Sequence, residues 1–410
     1  MSQGKTSVAG ARDETVASHA GRQPSCQAGM VNVPVHRGST IVFDTVADLN
    51  AAKEARFEKG TMFYGRFGTP DIFAFEGAIT ELEGGFGTIA VPSGLAACVL
   101  PLVALLKAGD HVLVTDTVYE PARTTLGNLI TRLGVEVTYY DPRIGARIAE
   151  LVRPQTRMIY LESPGSLTFE VQDMPAICAV ARGHGIVTVC DNTWATALLL
   201  RPLDLGVDIV VQAATKYIIG HSDAMLGLVT CHEAHYGTLR EAANWMGYRV
   251  SPDDVFLAAR GLRTLPVRMH QHGRTALTLA EWLEGLPQVR AVLHPGLPSH
   301  PDHALWKRDF KGASGLFSII LETTSMERAV AFVEDLRLFG LGFSWGGFES
   351  LVLIGDPTHA RTATVWNEDG ILVRLYAGLE HVEDLKADLG RAILKVSDAE
   401  NASHRREERH

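Results

Sequence analysis

The sequence predicts an α/β fold: a mostly parallel sheet covered by helices on both faces, followed by a smaller α+β domain. Three observations predict it. Short β-branched runs alternate with segments of helical spacing through the middle of the chain. After about residue 262 the rhythm changes, and helical stretches separate fewer strands. Finally, 410 residues with 46% hydrophobic and 21% charged composition suit two or three domains around sizeable cores.

The elements follow in chain order. The first 30 residues are polar, carry Asp13 and Glu14 and lack the apolar stretch of a secretory signal; they read as a flexible or draped arm. The run Leu95–Leu106 is apolar over twelve residues. A bilayer needs about 20, so this is a core helix. Expected strands are His111–Asp116, Val135–Tyr140, Met158–Glu162, Ile186–Asp191, Val207–Ala213 and Leu226–Cys231, with helical spacing between them, as in Met174–His184. The later helices are Thr275–Leu286, Met326–Phe339 and Val382–Val396, and the later strands Leu316–Glu322, Leu351–Ile354 and Ile371–Tyr376. The boundary falls near Gly261–Pro266. Asn401–His410 is almost wholly polar and reads as a frayed end.

Composition narrows function. Lys+Arg number 38 against 47 Asp+Glu, a net charge of −9, which argues against nucleic acid or an anionic membrane as the main partner and leaves room for a small anion. The five cysteines form no C-x-x-C pair and read as buried thiols of a reducing compartment, with no disulfide frame and no metal site; the cytoplasm is the expected address. No G-x-x-x-x-G-K is present. Gly84, Gly85 and Gly87 follow a helical pattern and precede a strand, the reverse of a dinucleotide fingerprint.

Ligands of such sheets bind at the carboxyl ends of the strands, so polar residues there carry the argument. Lys216 follows the strand Val207–Ala213 and is the only lysine between Lys107 and Lys307. A desolvated amine has a lowered pKa and attacks aldehydes; the alternative is a lysine snorkelling into solvent. Asp191 closes Ile186–Cys190 and can pair with a cationic ring nitrogen or cap the next helix. Pro92-Ser93-Gly94-Leu95 opens the apolar helix, as a phosphate cradle or an ordinary serine cap. Tyr119 lies just beyond the strand His111–Asp116, where it can stack on a planar ring or pack in a loop. Tyr64 and Arg66 stand in a glycine-rich segment suited to phosphate, or to a solvated turn. Arg374 is the single charge inside Ile371–Tyr376; it faces a ligand or pairs with a carboxylate such as Glu380. An amine, a carboxylate, a stacking aromatic and a phosphate cradle are together what pyridoxal phosphate requires.

From about Val35 to Val396 the sequence resembles the Cys/Met-metabolism family of fold-type I pyridoxal-phosphate enzymes, and within it the bacterial cystathionine β-lyases. The runs VYEP (Val118–Pro121), LESPGS (Leu161–Ser166), CDNTWAT (Cys190–Thr196), QAATKYIIGHSDAM (Gln212–Met225), RGLRTL (Arg260–Leu265), FSWGGFESL (Phe343–Leu351) and VRLYAGLEHVEDL (Val373–Leu385) carry the resemblance. γ-Type relatives usually have Thr-Asn-Pro where this chain has Gly165-Ser166-Leu167, and Phe rather than Trp at position 194.

The resemblance implies a seven-stranded-type sheet and the cofactor pyridoxal 5′-phosphate. It also implies β-elimination from L-cystathionine to homocysteine, pyruvate and ammonia. Lys216 would hold the aldehyde and shuttle protons, Asp191 would pair with the ring nitrogen and Tyr119 would stack on the ring. Gly94, Leu95 and Thr215 would hold the phosphate, joined by Tyr64 and Arg66 from a neighbouring subunit of a homotetramer, a dimer of dimers. Arg374 would clamp the substrate carboxylate, with Ser344 beside it and Tyr64 also on the substrate side. The expected organisation is an arm over 1–64 contacting that neighbour, a cofactor domain over 65–262, a C-terminal domain over 263–397 and a polar tail over 398–410. Other activities on the same scaffold stay open: a γ-lyase, a γ-synthase, or a lyase of other cysteine S-conjugates. So does a cofactor-binding regulatory protein without turnover.

Overall fold

A computed structural model describes residues 10–358 and 361–397. The expected polar tail lies outside the described residues. The main sheet has seven strands: β1 (Gly87–Val91), β2 (His111–Thr115), β3 (Glu136–Tyr140), β4 (Thr156–Glu162), β5 (Val187–Asp191), β6 (Ile209–Ala213) and β7 (Gly227–Cys231). Their order is β1-β7-β6-β5-β4-β2-β3. All neighbours are parallel except β7, which runs antiparallel to both β1 and β6. The strand that the glycines 84–87 precede is thus β1. Most of these strands are buried on both faces, as near-continuous apolar runs in a covered sheet must be.

A second sheet holds β8 (Val289–Leu293), β9 (Leu316–Leu321), β10 (Gly340–Leu341), β11 (Leu351–Gly355) and β12 (Ile371–Tyr376), in the order β10-β11-β12-β9-β8. β8 and β10 are additional to the strands expected from sequence. Val289–Leu293 carries Arg290 inside a short apolar run, and β10 has only two residues, too few for any periodicity.

The helices are α1 (Asp13–His19), α2 (Val46–Glu54), α3 (Pro70–Glu83), α4 (Gly94–Leu105), α5 (Glu120–Thr125), α6 (Met174–Gly183), α7 (Thr196–Leu199), α8 (Glu233–Trp245), α9 (Pro252–Glu284), α10 (His303–Asp309), α11 (Met326–Asp335) and α12 (Val382–Ala392). α4 is the apolar run, capped by Ser93, whose Oγ accepts from the Ala96 amide at 3.1 Å. Among the described residues no helix is long and apolar enough to cross a membrane.

The structure bears on three sequence expectations. Of the two readings of the arm, flexible or draped, the second holds over residues 13–20: α1 buries Val16, Ala17 and Ala20, and Arg263 of α9 donates to the carbonyls of Ala17 (2.8 Å) and Ala20 (3.0 Å). Its short apolar face and the guanidinium that satisfies its last carbonyls dock it despite a polar composition. Of the five thiols, Cys98, Cys178, Cys190 and Cys231 are buried, but Cys26 is exposed. The point 262/263, where a boundary was expected, lies inside the 33-residue α9, which runs on through Pro266.

Glu76 of α3 ties three elements behind the sheet. Its Oε1 accepts from the Ala90 amide of β1 (2.9 Å) and Arg240 Nη1 of α8 (3.1 Å), and its Oε2 accepts from Arg240 Nη2 (2.5 Å). Both side chains are buried. Removing one partner strands a charge in low dielectric. Glu76→Ala should therefore lower stability by about 3–5 kcal/mol, read as the shift of the urea midpoint of the purified protein; a shift within error of zero would show that Arg240 finds another counter-charge.

Candidate active site

The carboxyl ends of β2, β4, β5 and β6 converge on one place. β6 ends at Ala213, and the turn that follows presents Thr215 and Lys216. That turn is fixed from two sides. A Cβ on Gly94 would stand 2.4 Å from Ala213 Cβ, so the first turn of α4 lies directly against the end of β6. A Cβ on Gly346, at φ +92°, would stand 2.8 Å from the Lys216 carbonyl carbon and 2.9 Å from its Cα, so the loop before β11 presses on the lysine backbone.

Lys216 Nζ donates to Ser344 Oγ at 2.6 Å and lies 5.4 Å from the centre of the Trp345 ring. Burial is the main reason that its pKa falls to about 8; the nearby Arg374 guanidinium adds to the fall and Asp191 opposes it. Arg374, in β12, donates to the Ser344 carbonyl at 3.1 Å. Burial lowers its pKa to about 10. It makes no ion pair among the described residues. Glu380, the carboxylate available to it by sequence, accepts instead from the Ser350 amide and hydroxyl, both at 2.8 Å.

Asp191 is buried at the end of β5. Its Oδ1 accepts from the Thr193 amide (2.9 Å) and hydroxyl (2.5 Å), while Oδ2 receives the Cys98 thiol of α4 at 3.5 Å. Burial raises its pKa, and the Thr193 bonds oppose the rise. Tyr119 stands at the start of α5, and burial raises its phenol, with Cys98 and Asp191 adding to the effect. The Gly94 and Leu95 amides open α4 without intrahelical acceptors. The Thr215 hydroxyl donates to the Leu226 carbonyl (3.2 Å) and accepts from the Leu226 amide (3.0 Å).

Tyr64 and Arg66 stand apart from this cluster. Arg66 Nη1 donates to the Asn244 carbonyl of α8 at 2.6 Å, and Tyr64, 41% exposed, accepts from Ser39 Oγ at 3.0 Å. Trp194 is buried as a bridge between the two sheets, its Nε1 donating to the Leu316 carbonyl at 3.0 Å. A cleft of about 790 Å³ bordered by Cys178, Arg182, Asp204 and His232 holds none of these groups.

Two residues escaped the sequence reading although they obey its rule that polar strand ends matter. Glu162 closes β4 in register with Asp191 and accepts from the Tyr119 amide (2.6 Å) and Ser166 Oγ (2.5 Å). Burial, and after it Asp191, pushes its pKa up to about 8. Asp116, directly after β2, accepts from the amides of Thr362, Ala363 and Thr364 and pairs with Arg123 at 3.2 Å, strapping residues 362–364 to the rim.

The donor set fits pyridoxal phosphate. It offers a low-pKa amine, a buried carboxylate with one oxygen facing only a thiol, an aromatic at a strand end, and two orphan amides at the start of a helix. The amine should attach to an aldehyde only when neutral. In cofactor-free protein the rate of capture, followed by absorbance, should therefore rise with pH up to about 8 and level off above it. A rate still climbing at the ordinary lysine pKa would contradict a desolvated Lys216.

The family model "Cys/Met metabolism PLP-dependent enzyme" matches residues 14–394. The chain is 43% identical to the cystathionine beta-lyase MetC of Escherichia coli, over 93% of this chain and 98% of that one. It is 41% identical to an L-alanine/L-glutamate racemase of Wolbachia pipientis, over 94% and 98%. The crystal structure of metB from Corynebacterium glutamicum superposes with a TM-score of 0.86 at 32% identity, covering 94% of this chain and 98% of that one. The chain belongs to the Cys/Met-metabolism family of pyridoxal-phosphate-dependent enzymes, with pyridoxal 5′-phosphate as its cofactor.

Proposed function

We propose that the chain is a carbon–sulfur β-lyase that cleaves L-cystathionine to homocysteine, pyruvate and ammonia. The observation that carries this reading is the pair formed by Arg374 and Lys216 around Ser344: a half-buried guanidinium free of carboxylates among the described residues, and a low-pKa amine. An α-amino acid bears its carboxylate and its acidic proton on one carbon, so these two groups would engage it together.

Bound pyridoxal phosphate supplies an aldehyde for the substrate amine and a cationic ring that draws the electron pair released at Cα. Lys216 holds that aldehyde at rest. Its free Nζ, with its lowered pKa, would take the Cα proton of a substrate and, with Tyr119, return a proton to the departing sulfur. Asp191 would hold a proton on the ring nitrogen, and Tyr119 would stack on the ring. The Gly94 and Leu95 amides take the phosphate in the positive field of α4, with Thr215 joining as its hydroxyl turns from Leu226. Arg374 grips the α-carboxylate beside Ser344. Tyr64 and Arg66 would complete the phosphate site of a neighbouring subunit, with Tyr64 also near that subunit's substrate; a shared site requires a dimer, and the proposed assembly, after the family pattern, is a homotetramer, a dimer of dimers. The proposed address is the cytoplasm.

The similarity to a racemase favours a second activity on the same groups. A substrate with no leaving group at Cβ can only regain a proton at Cα after Lys216 removes one. The purified protein with added cofactor should release pyruvate and a free thiol in equal amounts from L-cystathionine; pyruvate absent, or 2-oxobutyrate in its place, excludes β-elimination. With L-alanine in deuterated water, label should enter Cα without pyruvate. D-alanine appearing alongside it supports the second reading, and L-alanine alone rules it out.

Arg374→Lys keeps the charge but loses the planar fork. The loss of a desolvated charge-assisted pair costs about 2–5 kcal/mol, so kcat/KM for cystathionine should fall roughly 30-fold to several thousand-fold. Cofactor absorbance and the reaction of an amine lacking the carboxylate should change little. Equal losses on both substrates would make Arg374 a purely structural residue.

A further inference from the structure

Glu162 is a buried carboxylate that the reaction above does not use. It closes β4, the strand between β2 and β5, and so stands between the turn that bears Tyr119 and the strand end that bears Asp191. Its two oxygens do different work. Oε2 accepts from the Tyr119 amide at 2.6 Å, and Oε1 accepts from the Ser166 hydroxyl at 2.5 Å, in the turn after β4. The two turns are also joined by the Ser166 amide donating to the Thr117 carbonyl at 2.9 Å. The Glu162 carbonyl is held by Gln172 Nε2 at 2.8 Å, so the residue is anchored from its own backbone outward. A carboxylate placed beside Asp191 adds like-charge repulsion to the cost of burial. A residue serving only to fill this space would need no polar atoms; the geometry points instead to the bond with the Tyr119 amide.

We infer that Glu162 is a positioning residue for Tyr119: by accepting the Tyr119 amide it fixes the start of α5, and with it the height and tilt of the phenol ring over the cofactor. The inference rests on the proposal that Tyr119 stacks on that ring. Tyr119 has little else to hold it. It begins a six-residue helix at φ −45° and ψ 126°, without a side-chain cap, and it is 41% exposed. Its backbone amide is therefore the handle by which the sheet sets the ring.

The test compares Glu162→Ala, which removes the acceptor, with Glu162→Gln, which keeps an oxygen for the Tyr119 amide but cannot ionise. Both are made in the holoenzyme, alone and with Tyr119→Ala. The main readout is the visible circular dichroism of the bound cofactor, which reports the asymmetry of its surroundings. Glu162→Ala should lose most of this signal while cofactor absorbance persists. Its kcat should fall about 5- to 150-fold, as expected when a buried donor loses its acceptor, with KM changing much less. Glu162→Gln should retain most of the signal. In the Tyr119→Ala background, Glu162→Ala should have no further effect.

If Glu162→Gln is as impaired as Glu162→Ala, the residue acts through its charge on Asp191 and the inference is overturned. A full Glu162→Ala effect that persists without the Tyr119 ring overturns it as well. If Tyr119→Ala itself leaves the dichroism unchanged, the stacking proposal fails, which a normal response to Tyr119→Ala alongside a silent Glu162→Ala would not imply. Should Glu162→Ala fail to fold, Ser166→Ala and Glu162→Gln decide the matter: both keep the Tyr119 bond and both should keep the signal, and loss of the signal in either one refutes the role.

Discussion

The desolvated amine of Lys216 is the constraint on which the rest of the site depends. An ammonium group prefers water, and here burial brings its pKa down to about 8. Keeping the amine in that place requires a backbone that cannot relax outward. The turn after β6 supplies it, held on one side by the start of α4 at Gly94 and on the other by Gly346. Because neither contact has room for a Cβ, the position of Nζ is set by the junction of the main sheet, its first covering helix and the loop leading into the second sheet. The second sheet thus reaches the same amine as the first: β12 brings Arg374, and the loop before β11 brings Ser344.

Charge is distributed around this amine with some economy. Asp191 and Glu162 lie side by side at the ends of β5 and β4, two carboxylates in a region where one is already costly. Each is satisfied by donors from its own or adjacent turns: Thr193 for Asp191, Tyr119 and Ser166 for Glu162. Lys216 faces Asp191 with positive charge, and the nearby Arg374 guanidinium adds to the fall in its pKa that burial begins. A cationic ring on one side and a substrate carboxylate on the other are the complements such an arrangement accepts. Asp116 plays a related part at the rim, where its carboxylate collects three consecutive amides from residues 362–364 and fixes a long connection of the second sheet to the end of β2.

Much of this could be read from residue order. Strand ends are visible in a sequence because an apolar run stops at a polar residue, and Lys216, Asp191 and Tyr119 were found that way. Glu162 and Asp116 satisfy the same rule but were absorbed into runs that looked like ordinary strand termini. Their roles depend on which neighbours donate to them, and those neighbours come from other turns. α1 and β8 were missed or misread for a different reason: a short element that docks through a few apolar contacts leaves too little periodicity to register.

By itself, the sequence determined the alternation of strands and helices, the lone lysine after a buried strand and the order of the polar groups that close the strands. These are local properties, fixed by pattern and composition along the chain. Tertiary structure decided which of them share a site. It left Arg374 without Glu380, placed Lys216 within 2.6 Å of Ser344 and linked Glu162 to Tyr119 across two strand ends. It also set Tyr64 and Arg66 against α8 instead of beside the lysine. Such choices turn on close approaches between segments more than a hundred residues apart in some cases, and on how much water each charge loses when they meet; neither is written in any local stretch of chain.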